Sequence, residues 1–151
     1  MTLLAKSPTL PPLWLAQDVL QGMLEHAQRT WPEECVGLLW GDTHNITHSI
    51  THNITRQQPL PNIAAEPQQR YLADPQALLQ ALQQGEAQGQ QLQAIYHSHP
   101  RGPMTPSKID LEHQHYRVPQ LIIVPQPGIV RAFDLTGDSY LERSLIVYRC
   151  L

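Results

Sequence analysis

Cysteine, positive charge and long apolar runs are all scarce in this sequence. It has 2 cysteines, and its 10 lysines and arginines against 13 aspartates and glutamates give a formal net charge of -3. Two distant cysteines are too few for a structural zinc site built from thiolates. The weakly acidic balance offers no basic surface of the kind that nucleic-acid binding needs, so no nucleic-acid partner is expected.

No stretch of the chain suggests a secretory signal or a membrane span. Prolines interrupt residues 1–15, so we expect neither an export signal nor a membrane-spanning helix there, and no membrane partner. With 2 cysteines and no expected export, the expected location is the reducing cytoplasm, with free thiols. The length of 151 residues suits one domain, and we expect a proline-rich lead-in over residues 1–12 before a single domain over residues 13–151.

Hydrophobic periodicity in the first third of the chain predicts a helix followed by a strand. Apolar residues recur at helical spacing over residues 13–29, and Pro32 ends the pattern because proline disfavours helix in the residue before it. The apolar run over residues 35–40 predicts a buried strand. Gly41 and Asp42, which follow it, predict a turn.

A segment rich in threonine and isoleucine, residues 43–55, repeats a histidine at every fourth position. Both residue types favour strands, in which successive histidines would lie roughly 13 Å apart at about 3.3 Å per residue. His44, His48 and His52 are therefore expected to be surface residues of a strand that cannot share one metal ion. Residues 57–69, rich in proline and glutamine, are expected to form a loop.

Strand and helix patterns alternate through the second half of the chain. Residues 71–73 predict a short strand, and Asp74 followed by Pro75 predicts a helix start, because aspartate caps helices and proline suits the first helical position. Residues 92–96 predict the next strand. Further strands are predicted over residues 121–124, 129–135 and 143–148. Such an alternation, with antiparallel hairpins, indicates an α+β or mixed α/β domain.

Two histidines, His97 and His99, stand at the end of the strand predicted over residues 92–96. Residues i and i+2 of an extended segment share one face, so both rings can reach one point. Asp110 follows behind a proline-rich loop, and Ser107 can cap a short helix that holds it. Imidazole and carboxylate groups suit Zn²⁺, and three protein ligands leave a fourth tetrahedral position for water. The pattern therefore predicts a catalytic zinc site.

These residues resemble the signature of the JAMM (MPN+) metalloproteases, which reads His-x-His, seven residues, Ser, two residues, Asp. The matching residues are His97, Ser98, His99, Ser107 and Asp110. The family also has a glutamate far upstream, three residues before a glycine, and Glu34 before Gly37 supplies it. The resemblance implies the MPN fold, a curved mixed β-sheet flanked by helices and similar in plan to cytidine deaminases.

The resemblance also implies a role for each of these side chains. His97, His99 and Asp110 would hold one zinc ion with a bound water. Glu34 would act as the base toward that water, and Ser107 would donate a hydrogen bond to the oxyanion of the tetrahedral intermediate. Zinc lowers the pKa of its bound water toward about 7 and polarises a carbonyl oxygen. For Ser107, helix capping alone is the alternative.

The upstream glutamate has two candidates. Counting back from Gly37 selects Glu34, whereas counting back from Cys35, in the Glu-x-Cys-Gly pattern of many bacterial relatives, selects Glu33. Adjacent strand residues point to opposite faces, so only one of the two can face the metal. Glu34 is preferred because it shares a face with Val36, and because a glycine is harder to shift than a cysteine.

The function implied by the resemblance is proteolysis at a protein tail. JAMM enzymes hydrolyse peptide or isopeptide bonds after the C-terminal Gly-Gly of ubiquitin or ubiquitin-like proteins. The short chain resembles the compact prokaryotic members, which act on sulfur-carrier proteins of the ThiS, MoaD or CysO kind. Two alternatives stay open: a RadC-like, DNA-associated JAMM protein, and a non-catalytic MPN scaffold.

Overall fold

The computed structural model describes residues 10–46 and 49–149 of the chain. Its described helices are α1 (Gln17–Thr30), α2 (Pro75–Ala87) and α3 (Lys108–Glu112). Its strands are β1 (Leu13–Ala16), β2 (Val36–Ile46), β3 (Ser49–Leu60), β4 (Gln91–Ser98), β5 (Gln120–Val124), β6 (Ile129–Leu135), β7 (Tyr140–Arg143) and β8 (Leu145–Tyr148). His48, Cys150 and residues 1–9 of the predicted lead-in lie outside the described residues.

All of these strands join in one mixed sheet, in the order β7-β6-β5-β4-β2-β3-β1-β8. Helix α1 packs on one face, over a core that includes Leu15, Met23, Leu39, Tyr96 and Leu121. Helix α2 packs on the other face, where its Ala81 lies in a cluster with Val36, Leu38, Trp40 and Ile95 of the sheet. Alternate residues of β2 and β4 enter opposite layers, as strand pleating requires. The predicted α/β (α+β mixed) class, a curved mixed sheet flanked by helices, is confirmed.

The helix predicted over residues 13–29 is wrong at its start. Leu13–Ala16 forms β1, which pairs in parallel with both β3 and β8, and α1 begins only at Gln17. Leu15 is buried and lies four residues before the buried Val19, a helical spacing, but two residues after the buried Leu13, a strand spacing. Residues 13–16 form a strand because they fill the place between β3 and β8 in the sheet. The local sequence pattern does not show that this place exists.

Gly41 and Asp42 do not form the predicted turn. Strand β2 runs through them and pairs antiparallel with β3 as far as Ile46, with a register shift between Trp40 and Gly41. A Cβ on Gly41 would collide with the carbonyl group of Asn53 on β3. The glycine therefore permits close approach of two strands at a bulge. As a result, residues 43–46 and 49–55 belong to two antiparallel strands instead of one.

Three further predictions need correction. Strand β3 extends to Leu60, so the loop predicted over residues 57–69 starts later. The strand predicted over residues 71–73 is a single bridge between Asn62 and Ala73. Residues 143–148 are divided between β7 and β8, which lie at opposite edges of the sheet.

Other boundaries agree with the sequence patterns. The Asp74 side chain accepts a hydrogen bond from the Gln76 amide, and Pro75 is the first residue of α2, as predicted. Strand β4 ends at the histidine pair. The side chain of His52, on β3, is half-buried beside Gln93, with His52 Nδ1 3.2 Å from Gln93 Oε1.

A buried hydrogen-bond chain joins α1 to the sheet. The Gln57 amide donates to the Tyr96 hydroxyl (Nε2 to Oη, 3.0 Å), and that hydroxyl lies 2.7 Å from His26 Nδ1. A neutral His26 ring can accept the Tyr96 hydroxyl proton in a hydrogen bond at Nδ1, whereas the imidazolium has no lone pair for it. Burial, followed by the Arg29 charge, lowers the pKa of His26 to about 4.

Candidate metal centre and active-site cleft

Strand β4 carries the two histidines in the middle of the sheet. His97 pairs with Val36 of β2 on one side and with Ile122 of β5 on the other. The His99 amide donates to the Ile123 carbonyl (2.8 Å). His97 and His99 are 0% and 5% exposed, and their i, i+2 spacing turns both rings to one face.

Asp110 meets both imidazole rings. Its Oδ2 lies 3.2 Å from His97 Nε2 and 3.1 Å from His99 Nε2, and the two Nε2 atoms lie 3.1 Å apart. Tetrahedral zinc with Zn–N bonds of about 2.05 Å holds its donor atoms about 3.3 Å apart. The spacing and the donor types, two imidazole nitrogens and a carboxylate oxygen, therefore both fit a zinc ion.

A capped helix turns Asp110 toward the histidines. The Asp110 amide donates to Ser107 Oγ (3.1 Å), and the Ser107 amide donates to Asp110 Oδ2 (2.8 Å), which completes a capping box. The predicted cap is thus confirmed. Because Ser107 Oγ accepts within the cap, its own hydroxyl proton remains for another acceptor, and Ser107 lines a cleft beside the histidines.

Glu34 lies beside the imidazole pair, whereas Glu33 is exposed to solvent. One carboxylate oxygen of Glu34 and one ring nitrogen from each of His97 and His99 lie within 4.8 Å of one another, a set that could hold a metal ion. Within the described part of the chain, the buried Glu34 Oε1 has no hydrogen-bond partner. Burial raises the pKa of Glu34 to about 7, a rise that the His99 charge opposes and the Asp110 charge assists.

Burial and hydrogen bonding act differently on the three clustered groups. Complete burial lowers the pKa of His97. For His99, burial is outweighed by hydrogen bonds with Asp110 and the Pro103 carbonyl, which raise its pKa. For Asp110, burial is likewise outweighed by the hydrogen bonds from the two rings, which hold its pKa well below the usual range. Asp110 is therefore a carboxylate at neutral pH, the form that binds a cation.

The two rings are oriented by different means. His99 Nδ1 donates to the Pro103 carbonyl (2.8 Å), so the neutral ring has its lone pair on Nε2, toward the cluster. His97 Nδ1 is buried and has no hydrogen-bond partner among residues 10–46 and 49–149. Instead, the Tyr71 ring lies over His97, with ring centroids 4.7 Å apart and planes inclined by 35°. Packing by Tyr71 therefore fixes the direction of His97.

A cleft of about 360 Å³ opens over Glu34, His99 and Ser107. Gln69 and Arg101 also line it. The sequence patterns point to the histidines, Asp110, Ser107 and Glu34, but give no signal for Tyr71 or Gln69, which arrive through an aperiodic segment that folds back over the site.

The sheet order, the His-x-His strand and the facing aspartate define a domain of the JAB/MPN class. Residues 16–136 match the family described as prokaryotic homologs of the JAB domain. The chain belongs to this family, which confirms the predicted JAMM/MPN resemblance.

Named relatives cover most of the chain. A "Probable TtuB-protein conjugate cleaving protease" of Thermus thermophilus is 41% identical over 135 residues, which are 89% of this chain and 82% of the relative. A "Desampylase" of Haloferax volcanii is 32% identical over 139 residues, 89% of this chain and 96% of the relative. The prediction of an enzyme, a JAMM-type peptidase, is confirmed at this level.

Solved structures show the same fold. A protein of Desulfitobacterium hafniense superposes with a TM-score of 0.79 at 27% identity, covering 92% of this chain and 94% of that one. A JAB1/MPN domain protein of Archaeoglobus fulgidus gives a TM-score of 0.58 at 17% identity, covering 92% and 100%. Separately, none of the helices described in the structure is long and apolar enough to cross a membrane.

Proposed function

We propose that this protein is a zinc-dependent isopeptidase that cleaves after the C-terminal Gly-Gly of a ubiquitin-like or sulfur-carrier protein. The observation that carries the proposal is the meeting of Glu34, the His97/His99 pair and Asp110 around one point, with Ser107 at the edge of the same cleft. The names of the two relatives, which refer to conjugate cleavage and desampylation, support the reaction class.

His97 Nε2, His99 Nε2 and Asp110 Oδ2 are the atoms that would hold zinc. When bound, zinc supplies a Lewis acid that polarises the substrate carbonyl and lowers the pKa of a water in the cleft. These groups suit a cation, because the Asp110 carboxylate is ionised and a neutral His99 ring has its lone pair on Nε2.

Glu34 acts as the general base in this proposal. Its Oε1 takes a proton from the attacking water and passes it to the nitrogen of the leaving amine. A base works best when its pKa lies near the working pH, and burial raises the pKa of Glu34 to about 7. The Ser107 hydroxyl donates a hydrogen bond to the substrate carbonyl oxygen as negative charge develops there. Such a bond is typically worth about 3–4 kcal/mol.

The substrate side of the proposal is a small carrier with a flexible tail. We infer a carrier of the ThiS, MoaD or CysO kind, or a TtuB-like protein, joined through its terminal glycine to a lysine amine. The cleft is lined by prolines and Gly102 together with polar side chains such as Gln69 and Ser107, and the proposal places in it a tail whose last residues have no side chains.

The experiment compares two adjacent glutamates. A Gly-Gly-ending carrier linked to the lysine of a fluorescent peptide serves as the substrate, and metal content is measured on the same samples. Glu34→Gln should keep zinc and lose about 10²- to 10⁴-fold in turnover, whereas Glu33→Gln, at the exposed neighbour, should match the wild type. Asp110→Ala should weaken zinc binding by more than about 100-fold, since even losing a group that only orients a ligand costs about 10–100-fold. Unchanged turnover in Glu34→Gln would remove the base from the proposal.

A further inference from the structure

Asn62, just after β3, uses its whole side-chain amide in hydrogen bonds. Its Oδ1 accepts from the amides of Ala64 (3.0 Å) and Leu72 (2.9 Å). Its Nδ2 donates to the carbonyls of Glu34 (2.9 Å) and Arg70 (3.2 Å). Two acceptor positions and two donors are the full capacity of an asparagine side chain.

These bonds close residues 62–73 into a compact loop. The Ile63 amide donates a hydrogen bond to the Leu72 carbonyl (2.8 Å), and Asn62 and Ala73 form an antiparallel bridge. The loop carries Tyr71, whose ring covers His97. The Asn62 side chain thus holds together the two ends of the loop that forms one side of the candidate site.

The same loop holds the backbone of Glu34 from both sides. The Glu34 amide donates to the Pro67 carbonyl (2.7 Å), and the Glu34 carbonyl accepts from Asn62 Nδ2 (2.9 Å). Glu34 precedes the first residue of β2, Val36, so the sheet ladder does not fix it. Its buried Oε1 has no partner within the described part of the chain that could steer it. The direction of the carboxylate therefore depends on how its backbone is held.

We infer that Asn62 is a positioning residue that sets the place of Glu34 for proton transfer. The inference rests on the proposed role of Glu34 as base. The candidate metal ligands come from β4 and α3, and no hydrogen bond of Asn62 reaches them. Removing Asn62 should therefore impair the use of the base without releasing the metal, because small displacements of a catalytic group cost rate steeply.

The first test measures turnover and zinc affinity in Asn62→Ala and Asn62→Asp. The aspartate variant keeps two acceptors for the loop amides and replaces the donors to Glu34 and Arg70 with a charged oxygen that cannot donate, so it breaks the contact with Glu34 while the loop amides stay paired. Both variants should lose about 10–100-fold in kcat on the fluorescent carrier conjugate. The zinc dissociation constant should stay within about threefold of the wild type in Asn62→Asp, whose loop amides remain paired, and should rise by no more than about tenfold in Asn62→Ala, because the loosened loop carries Tyr71. Asn53→Ala, the same substitution on β3, is the control and should leave kcat unchanged.

The second test asks whether the two residues act through one another. In a Glu34→Gln background, Asn62→Ala should cost nothing further, because the group that it positions is already inactive. An added loss of the same size in that background, or a loss of zinc affinity in Asn62→Asp as large as its loss of kcat, would overturn the inference and leave Asn62 a structural residue.

A readout without substrate keeps this inference separate from the proposed function. Hydrogen exchange of the Glu34 backbone amide, followed by NMR, should be at least about tenfold faster in Asn62→Ala, because the loop that accepts its proton loosens. Unchanged exchange would show that Asn62 does not anchor Glu34. If exchange accelerates but Glu34→Gln is fully active, then the anchoring holds and the assignment of the base fails.

Discussion

Acid should destabilise this protein through one buried ring, that of His26. The ring is 5% exposed, and its Nδ1 is hydrogen-bonded to the Tyr96 hydroxyl. Burial lowers the pKa of His26 from 6.5 to about 4 on folding. Between these two values the unfolded chain binds the extra proton and the folded chain does not. The free energy of unfolding therefore rises with pH through this window. The contribution of His26 is fully present above pH 6.5 and is lost as the pH falls toward about 4.

The size of this effect follows from the distance between the two pKa values. At about 1.4 kcal/mol for each pH unit, the full loss amounts to roughly 3 kcal/mol. At about pH 5 the unfolded ring is almost fully protonated and the folded ring is not, so about 2 kcal/mol is already lost. A domain of this size has only about 5–15 kcal/mol of stability in total, so the loss is readily measured.

Urea unfolding of the wild type and His26→Gln at about pH 7.5 and about pH 5 measures this loss. Glutamine still offers the Tyr96 hydroxyl an acceptor but does not titrate. Between the two pH values, the free energy of unfolding of His26→Gln should fall by about 2 kcal/mol less than that of the wild type. A chelator keeps metal release out of the comparison, and the other titrating groups are common to both proteins. Equal falls in the two proteins would refute the reasoning.

Two further substitutions test packing against the site and within the core. Tyr71→Ala should weaken zinc binding about tenfold in a chelator competition, whereas Tyr71→Phe, which keeps the ring over His97, should bind as the wild type does; equal affinity in all three proteins would mean that the ring does not orient His97. Gly85→Ala should lower the free energy of unfolding by about 1–3 kcal/mol in denaturant melts, because a Cβ there meets the Trp40 ring. An exposed helical position would instead gain up to about 1 kcal/mol from alanine, so a stabilised variant would contradict the close contact.

The candidate site could be predicted from the sequence to the extent that local patterns encode it. The i, i+2 spacing of His97 and His99 at a strand end fixes which way both rings point. Ser107 and Asp110 carry the hydrogen bonds of their own helix cap, so the turn that presents the carboxylate is written into four residues. The distance to Gly37 selects Glu34 over Glu33, and in the structure Glu34 is buried and Glu33 is exposed.

What the sequence could not supply depends on partners distant in the chain. Leu15 has helical spacing to Val19 and strand spacing to Leu13, and the space between β3 and β8 selects the strand. Gly41 looks like a turn residue until Asn53 is brought against it. Asn62 lies in a stretch predicted as a loop and Tyr71 begins a segment predicted as a short strand, and their places follow from hydrogen bonds that form after the chain has folded back.

The pairing of β4 with a neighbour on each side limits how lineages of this protein can change in length. An extra residue between Gln91 and Tyr96, unless a bulge absorbed it, would exchange the two faces of the strand and send both imidazoles into the layer beneath α1. Loops can grow or shrink by any number, since they need not keep such a parity. The surroundings of this centre can therefore change in length gradually, whereas the strand that carries it can take a single extra residue only where a bulge absorbs it, as at the register shift that already lies opposite Leu39 and Trp40.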